Sequence, residues 1–351
     1  MVDGGWWLEC IVVLSIHMKI TAKAPCRVDM AGGTIDIWPL YLFHAAPVTV
    51  NFAVDRYASC VLETRADARI TLRSRDLNRR EEFESLAALR AARRYKLPLA
   101  AHVVGYFAPD TGLDLVTDSE TPAGAGIAGS STLIIALAAA FNKLTNAGYK
   151  LEKLREIAQN IEARIIRVPT GCQDYYPAMY GGVSAIELTA AGIARKPVAV
   201  DPEDLNERVV LAYTGEPRNS GINNWEVMKA HIDGDRAVHR NFDRIAQIAR
   251  AMRQALEKPD WDEAARLLRQ EWTHRKKNAP GITTPLIDRL VEVTRRAGAV
   301  GAKVCGAGGG GCVFFLVERG AKARVSEAIQ REGGAVLPVR VAPRGVRVSR
   351  A

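Results

Sequence analysis

Residues 121–132 read TPAGAGIAGSST, and this glycine-rich stretch decides how the fold is interpreted. Gly124, Gly126 and Gly129 let the backbone curl until several N–H groups point at one spot. The apolar, alanine-rich segment 133–144 follows at once and predicts a helix, whose positive N-terminal end would face the same spot. The stretch therefore predicts a phosphate-binding turn between a strand and a helix.

Three common phosphate loops do not fit this turn. The spacing of its glycines matches the dinucleotide fingerprint, but residues 146–149, about 20 positions on, predict no strand that ends in an acidic residue. A Walker loop needs a lysine after its last glycine, where Ser130 stands, and the protein-kinase motifs are absent. A lysine-free loop remains, in which backbone amides hold phosphates and a serine hydroxyl binds Mg²⁺. An ordinary serine-capped turn stays open as the alternative.

Two carboxylates downstream fit phosphoryl transfer. Glu162 lies late in a predicted helix over 151–166, and Asp174 follows in the segment PTGCQD, residues 169–174. Phosphoryl transfer needs a metal ligand and a group beside the attacking hydroxyl, which these two side chains could supply. Either one alone could equally be a solvated surface group.

Three segments in order resemble the three motifs of the GHMP kinases, a family of small-molecule kinases. They are APCRVDMAGGTID at residues 24–36, the glycine turn, and KVCGAGGGGC at residues 303–312. The branch that the chain resembles most is that of the sugar 1-kinases of the heptose 7-phosphate kinase type, through residues 31–33, 173–176, 213–215, Arg218, Ser220, Trp272 and 276–277. The resemblance implies an α+β, two-domain fold, with an N-terminal domain like ribosomal protein S5 domain 2 and a C-terminal ferredoxin-like domain. ATP and sugar would meet in the cleft between the domains.

The resemblance also implies a role for each matched residue. Asp174 would lie beside the attacking hydroxyl and Arg27 would stabilise the developing charge. Mg²⁺ would be bound by Glu162 and by Ser131 in preference to Ser130. The ATP phosphates would contact Pro122, Gly124, Ala125, Gly126, Ile127, Ala128, Gly129, Ser130, Ser131 and Thr132. The acceptor would contact Gly33, Thr34, Asp36, Gly308 and Gly309.

Several of these roles have a structural alternative. Arg27 could pair with Asp29, Asp36 could cap a local turn, and the third glycine run could serve strand packing alone. Asn219, Asn223 and Asn224 could line the acceptor pocket or cap a helix. The chain also departs from the sugar 1-kinase pattern. It has Ile35 between Thr34 and Asp36, and Cys172 where that branch often has a lysine.

Together these observations predict an ATP- and Mg²⁺-dependent kinase that phosphorylates the anomeric hydroxyl of a sugar or sugar phosphate. A galactokinase-like, fucokinase-like or mevalonate-type kinase remains an alternative, as does a catalytically idle relative that binds nucleotide. Sugars require many hydrogen bonds, so a polar acceptor pocket would favour a sugar and an apolar one mevalonate.

Composition sets the wider expectations. The 351 residues carry a net charge of +9, which suits an anionic substrate. The chain shows no basic stripe interleaved with aromatic residues, so we expect a small-molecule substrate rather than nucleic acid or a membrane, with a homodimer possible. Six cysteines without a C-x-x-C pair favour a reducing cytoplasm.

The resemblance, together with a candidate linker at residues 201–204, implies an ATP-binding domain over 19–201 and a second domain over 202–351. Residues 1–18 are interpreted as an extension or a start artefact, and the acidic residues 201–204 as a linker. The other predicted elements are strands over 48–61, 113–117, 181–188, 197–200, 209–213, 301–305, 312–317 and 335–341, and helices over 84–107 with a break near Pro98, 130–143, 151–166, 224–255, 260–277, 284–297 and 321–331.

Overall fold

The computed structural model describes residues 17–217 and 220–350, with the side chains of residues 220–223 left aside. The interpretation of residues 1–18 therefore falls outside the described part, apart from residues 17 and 18. The same holds for Asn219 and for the side chain of Asn223.

The first half of the described chain contains seven strands, five α-helices and one 3₁₀ helix. In chain order these are β1 (Lys19–Ala31), a 3₁₀ helix (Leu40–Phe43), β2 (Val48–Arg65), β3 (Ile70–Ser74), β4 (Arg79–Phe83), α1 (Leu86–Ala91), α2 (Pro98–Phe107), β5 (Gly112–Ser119), α3 (Gly129–Leu144), α4 (Leu151–Ile166), α5 (Tyr175–Tyr180), β6 (Val183–Thr189) and β7 (Gly192–Pro197).

The second half adds five strands and six helices among the described residues. They are α6 (Pro202–Arg208), β8 (Val209–Tyr213), α7 (Ser220–Ile232), α8 (Arg236–Glu257), α9 (Trp261–Arg275), α10 (Pro285–Ala297), β9 (Ala299–Val304), β10 (Cys312–Val317), α11 (Lys322–Arg331), β11 (Ala335–Leu337) and β12 (Arg347–Arg350).

Two sheets organise these elements. The large sheet runs β12-β1-β2-β5-β3-β4, and the β6–β7 hairpin pairs with the first part of β2. Its strands are antiparallel except for the β3–β5 pair. The small sheet runs β11-β8-β10-β9, all antiparallel. The mixture of antiparallel sheets and packed helices confirms the predicted α+β class.

One hydrophobic cluster joins the two sheets. It contains Val28 and Phe52 from β1 and β2 together with Phe314 from β10, and the rings of Phe52 and Phe314 meet edge to face at 5.9 Å. Buried side chains of α8 and α9 complete the cluster. Because interiors pack at close to crystal density, this shared core holds the first-motif strand and the third-motif strand in a defined relative position.

Helix α3 begins at the end of the glycine-rich stretch 121–132 and is buried. Its residues Ile134–Phe141 are almost all fully buried, in contact with β1, β2, α2 and α4, so the helix is apolar on every side. Ala128 precedes it in the left-handed conformation, with φ of 65°, and its methyl side chain cannot accept from the N–H groups of the first turn. The first N–H groups of the helix are therefore left for another partner.

Several predicted boundaries require correction. Residues 201–204 are not a linker, because the Asp201 side chain accepts from the N–H of Glu203 and Pro202 occupies the first turn of α6. The predicted helix 224–255 is two helices, α7 and α8, separated at Gly234, whose φ is +85°. The hairpin strand covers Gly192–Pro197 rather than 197–200, and β11 ends at Leu337.

The end of the chain returns to the large sheet. Strand β12 pairs with β1 over Ile20–Lys23, so residues 347–350 form an edge of this sheet. This return was not predicted, because a four-residue strand whose side chains are all exposed carries little periodicity. Among the described residues, no helix is long and apolar enough to cross a membrane.

Candidate active site

A cavity of about 350 Å³ lies at the N-terminal end of α3. This volume falls within the range of small-molecule sites, about 300–1,000 Å³. The glycine turn forms one side of it through Pro122, Ala123, Gly124, Ala125, Gly126, Ala128, Gly129, Ser130 and Ser131. The predicted residues Arg27, Thr34, Asp36, Glu162 and Asp174 line the same cavity.

Arg27 and Asp174 form a close ion pair in this cavity. Oδ1 of Asp174 accepts from Nε of Arg27 at 2.9 Å and from Nη2 at 2.6 Å. Nη1 of Arg27 donates to the carbonyl of Gly126 in the glycine turn at 2.8 Å. Burial acts against the charge of Arg27, but the carboxylates of Asp174 and Asp29 outweigh it and raise the pKa of the guanidinium. Arg27 thus stays charged and holds Asp174 beside the glycine turn.

Glu162 meets the two serines that start α3. Its carboxylate accepts from the hydroxyls of Ser130 at 2.5 Å, Ser131 at 2.9 Å and Tyr175 at 2.6 Å. Burial is the main cause that raises the pKa of Glu162, and the negative charge of Asp174 adds to the increase. The three hydroxyl donors lower this pKa but do not cancel the increase. A buried carboxylate beside two hydroxyls is a set of hard oxygen donors that suits Mg²⁺.

Asp36 is buried at the edge of the cavity. Its Oδ2 accepts from the backbone N–H of Gln173 at 2.8 Å, so it does cap the turn before α5, and it lines the cavity as well. A Cβ on Gly171 would lie 2.1 Å from the same oxygen, so only glycine fits there. Burial raises the pKa of Asp36 to about 6.

Five of the predicted contact residues lie off the cavity wall. The side chain of Ile127 is fully buried in the core shared by the sheets, and the Thr132 hydroxyl donates to the carbonyl of Pro25. Gly308 and Gly309 pack on Ile282, where a Cβ on Gly308 would lie 2.4 Å from the Ile282 carbonyl. Gly33 lies behind Arg275, and from the third motif Gly306 and Ala307 line the cavity instead.

Arg275 is a cavity residue that the sequence reasoning missed. Its Nη1 donates to the carbonyl of Gly33 at 2.8 Å, and its Nη2 donates to the hydroxyl of Thr34 at 3.0 Å and to the carbonyl of Gly306 at 2.6 Å. One guanidinium therefore joins the first and third motifs. A signal existed, because Glu271 and Arg275 continue the buried face of α9 that Ala264 and Leu268 begin, and charged residues on such a face need partners.

A buried ionic cluster lies behind Arg275. Nζ of Lys303 donates to Oδ2 of Asp29 at 2.5 Å, and Oε1 of Glu271 lies 3.7 Å from Nζ. Oδ1 of Asp29 accepts from the N–H of Gly306 at 3.1 Å. Burial would raise the pKa of Asp29, but Lys303, Arg27 and Arg275 outweigh it and hold that pKa below its usual range. Asp29 thus ties β1 to the third motif, and the hydrogen bonds of Arg27 go to Asp174 and the Gly126 carbonyl, with Asp29 3.8 Å away.

The cavity is polar around Asp174. Thr34, Thr170, Gln173 and Asn224 line it together with Asp36. Such side chains provide donors and acceptors for a ligand with several hydroxyls. Apolar lining residues include Leu77, Leu99, Leu133 and Ile166.

Two family descriptions match the chain. The family described as the GHMP kinases N terminal domain matches residues 87–182. The family described as GHMP kinases C terminal matches residues 252–335. Together they span just over half of the chain.

Among curated proteins, the chain is similar to the D-glycero-alpha-D-manno-heptose 7-phosphate kinase of Campylobacter jejuni. The two are 28% identical over 341 residues, which cover 93% of this chain and 98% of the relative. It is also similar to the mevalonate kinase of Pyrococcus horikoshii, at 26% identity over 68% of this chain and 69% of the relative. Among solved structures, a D-glycero-D-manno-heptose 1-phosphate kinase from Bacteroides thetaiotaomicron has the same fold. Its TM-score is 0.75 at 24% identity, and the match covers 94% of this chain and 98% of that one.

Proposed function

We propose, since the chain belongs to the GHMP kinase family of ATP-dependent phosphotransferases, that it phosphorylates the anomeric hydroxyl of D-glycero-D-manno-heptose 7-phosphate or a closely related sugar phosphate. The observation that carries the proposal is the single cavity onto which the glycine turn, the Arg27–Asp174 pair and the Glu162–serine pair all open. These are the three parts that phosphoryl transfer requires.

The start of α3 is the proposed binding site for the ATP phosphates. Its leading N–H groups have no side-chain cap, and the helix dipole favours negative charge at this end. A Cβ at Gly129 would lie 2.9 Å from the hydroxyl of Thr121, so a larger residue would displace the turn. Main-chain groups thus take the place that a lysine has in Walker loops.

The residues that would hold Mg²⁺ are Ser131, Ser130 and Glu162. When bound, the ion would neutralise charge on the ATP phosphates. Both serine hydroxyls now donate to Glu162, and turning them toward the cavity would present their oxygens beside the carboxylate. The raised pKa of Glu162 means that its carboxylate gains from a nearby cation.

Asp174 would orient the attacking hydroxyl and accept its proton. Its Oδ1 is held by Arg27, which leaves Oδ2 for the sugar. The Arg27 guanidinium stands between this carboxylate and the Gly126 carbonyl of the turn, where it would stabilise charge on the transferred phosphoryl group. Substrate hydroxyls would contact Asp36 and the polar lining residues around it, which supports a sugar over mevalonate.

A phosphate on the sugar would meet two basic side chains in the cavity. Of the described residues, the basic side chains that line the cavity are Arg27 and Arg275, and both already donate to Asp174 or to backbone carbonyls. Similarity to the Campylobacter jejuni enzyme over nearly the whole chain is what favours the heptose 7-phosphate.

An ADP-release assay with a substrate panel tests the proposal. The panel contains heptose 7-phosphate, free heptose, mannose with and without a 6-phosphate, galactose, fucose and mevalonate. We expect the highest kcat/KM with heptose 7-phosphate, and ³¹P NMR should show a new phosphate on the anomeric carbon. A higher kcat/KM with mevalonate, or phosphorylation at another carbon, would contradict it.

The same assay on Asp174→Asn tests the site. Loss of a general base costs about 10²–10⁴-fold in kcat. ATP affinity, measured by calorimetry, should change little because Asp174 lies on the acceptor side. The matched control is Asp110→Asn, at an exposed position outside the cavity. A near-normal kcat for Asp174→Asn would reject Asp174 as the catalytic carboxylate.

A further inference from the structure

Three histidines meet outside the catalytic cavity. His44 follows the 3₁₀ helix, His231 lies at the end of α7, and His239 lies in the first turn of α8. One ring nitrogen from each lies within 4.8 Å of the other two. His44 and His231 are buried and His239 is half-buried. The cluster therefore brings together three metal-ligating side chains from segments up to 195 residues apart.

Hydrogen bonds fix the tautomers of two of these rings. Nδ1 of His44 is 2.8 Å from Oδ1 of Asp243, and a carboxylate can only accept, so this nitrogen carries the proton and Nε2 keeps its lone pair. Nε2 of His239 is 2.9 Å from the carbonyl of His231, so it donates and leaves the lone pair on Nδ1. A carboxylate behind a histidine is the arrangement that orients metal-binding imidazoles.

His231 lies at the centre of the cluster. Its Nε2 is 2.8 Å from Nε2 of His44, and its ring stacks on His239 with centroids 3.8 Å apart. Its Nδ1 is buried and has no hydrogen-bond partner.

We propose that His44, His231 and His239 bind one Zn²⁺ ion, with Asp243 holding the His44 ring from behind. Zinc is bound by imidazole nitrogens at about 2.0–2.1 Å in a tetrahedral arrangement, which separates the nitrogens by about 3.4 Å. Small rotations of the rings would lengthen the 2.8 Å distance between the Nε2 atoms of His44 and His231. They would also shorten the longer distances among the three nitrogens, which are at most 4.8 Å. Asp243, with 53% of its side chain exposed, marks the side from which the ion and a water ligand would enter.

The ion would connect two parts of the acceptor pocket. His44 ends the segment that carries Thr34 and Asp36, and α7 carries Asn224, all of which line the cavity. A cross-link at the histidines would limit the movement of these two segments relative to one another. The zinc site has a structural role and is distinct from the oxygen-donor site for Mg²⁺, since imidazole suits zinc and carboxylate and hydroxyl suit magnesium.

Zinc titration of the full chain, freed of any affinity tag and stripped with a chelator, tests the proposal. The titration is done in excess Mg²⁺, so that only a nitrogen-rich site responds. We expect one Zn²⁺ per chain by calorimetry, and visible d–d absorption of four-coordinate Co²⁺ when cobalt replaces it. Failure of the wild-type chain to bind one equivalent of Zn²⁺ would overturn the proposal, whatever the kinase activity is.

Variants identify the ligands. His231→Gln and His239→Gln each remove a proposed ligand and should weaken Zn²⁺ binding at least about 100-fold. Asp243→Asn removes only the carboxylate behind the His44 ring and should weaken it about 10-fold. His102→Gln, on α2 beside Tyr95 and away from the cluster, is the matched control and should bind normally. His239 is half-buried, so its variant carries the test if His231→Gln does not fold. Unchanged binding by His239→Gln would assign the ion elsewhere and overturn the site.

Discussion

Arg27 has two carboxylates within reach, and their distances give each a different role. Asp174 is bound at 2.6 Å and 2.9 Å, whereas the nearest oxygen of Asp29 is 3.8 Å away. Asp29 instead binds Lys303 and the N–H of Gly306. Arg27 can therefore orient Asp174, the proposed catalytic carboxylate, because Lys303 neutralises Asp29.

Asp36 carries a cost in stability that its proposed function explains. Its folded pKa of about 6 lies above the value near 3.8 of an exposed aspartate, mainly because it is buried. The folded protein then binds more protons than the unfolded chain between about pH 4 and pH 6. The contribution of Asp36 to the free energy of unfolding is therefore most favourable below this window, and it is lost as the pH rises through it.

We expect Asp36→Asn to stabilise the protein and to impair it as a kinase. Asparagine keeps an acceptor for the N–H of Gln173 but carries no charge. The free energy of unfolding at pH 8 should rise by about 1–3 kcal/mol, since one pKa unit corresponds to about 1.4 kcal/mol. Urea unfolding at pH 8 and pH 4 measures this, and the gain should shrink toward zero at pH 4.

The kinetic part of the same prediction is a lower kcat/KM for the sugar, because a carboxylate accepts more strongly from hydroxyls than an amide does. Asp110→Asn is the control and should change neither quantity. A destabilised Asp36→Asn at pH 8 would show that the carboxylate is needed for folding rather than for substrate.

Helices α3 and α4 form the proposed metal site only as a pair. Glu162 lies in the last turns of α4 and reaches the first residues of α3, although 31 positions separate it from Ser131. The charged and apolar alternation of α4 predicts this helix over 151–166, with the bounds that the structure has. Its orientation toward α3 is a matter of packing, through buried Leu154, Ile157 and Ala158.

We expect Glu162→Gln to raise the Mg²⁺ concentration for half-maximal rate at least about tenfold, the lower end of the range for residues around a metal. The neutral amide is a weaker ligand for a hard cation. Initial rates at saturating ATP and varied Mg²⁺ measure it. Glu156→Gln, on the exposed side of the same helix, is the matched control.

Serine variants then separate the two hydroxyls. If Ser131 is the metal ligand, Ser131→Ala should shift the Mg²⁺ dependence more than Ser130→Ala. A larger shift for Ser130→Ala would move the assignment to that residue, and an unchanged dependence in all three variants would refute the site.

At the scale of the molecule, Arg275 connects the two motif-bearing segments across the cleft. Its contacts to Gly33, Thr34 and Gly306 join β1's loop to the loop after β9. The core shared by the two sheets sets the approximate position of the two loops. The Arg275 guanidinium then fixes the distance between Gly33 and Gly306. Lysine has a single ammonium group and cannot span three acceptors in a plane.

We expect Arg275→Lys to lower kcat/KM for the acceptor by about 10–100-fold, which corresponds to about 1.4–2.8 kcal/mol, the size of one or two hydrogen bonds from a charged donor. ATP affinity should change less than threefold, which is less than the loss of one such hydrogen bond. The reason is that none of the described hydrogen bonds of Arg275 goes to the glycine turn. Steady-state kinetics with both substrates measure the two effects.

Arg269→Lys, on the exposed side of the same helix, is the control for the loss of a guanidinium. Equal kinetics for wild type and Arg275→Lys would mean that the shared core alone aligns the motifs.

The amino-acid sequence by itself determined the class of the fold, the family resemblance and most long elements. Periodic apolar patterns are local, so α3, α4, β8 and β10 could be predicted almost to their ends. The lysine-free glycine turn likewise predicted backbone binding of phosphate, because glycine content and the following helix are local properties.

Only the tertiary structure decided which groups meet. It assigned Asp174 rather than Asp29 to Arg27, brought Arg275 into the cavity, returned β12 to the large sheet and assembled the three histidines. The physical reason is that pairing of buried charges and of strand edges depends on distances between segments far apart in the chain. These distances are set by packing of the whole core and leave little local pattern in the sequence.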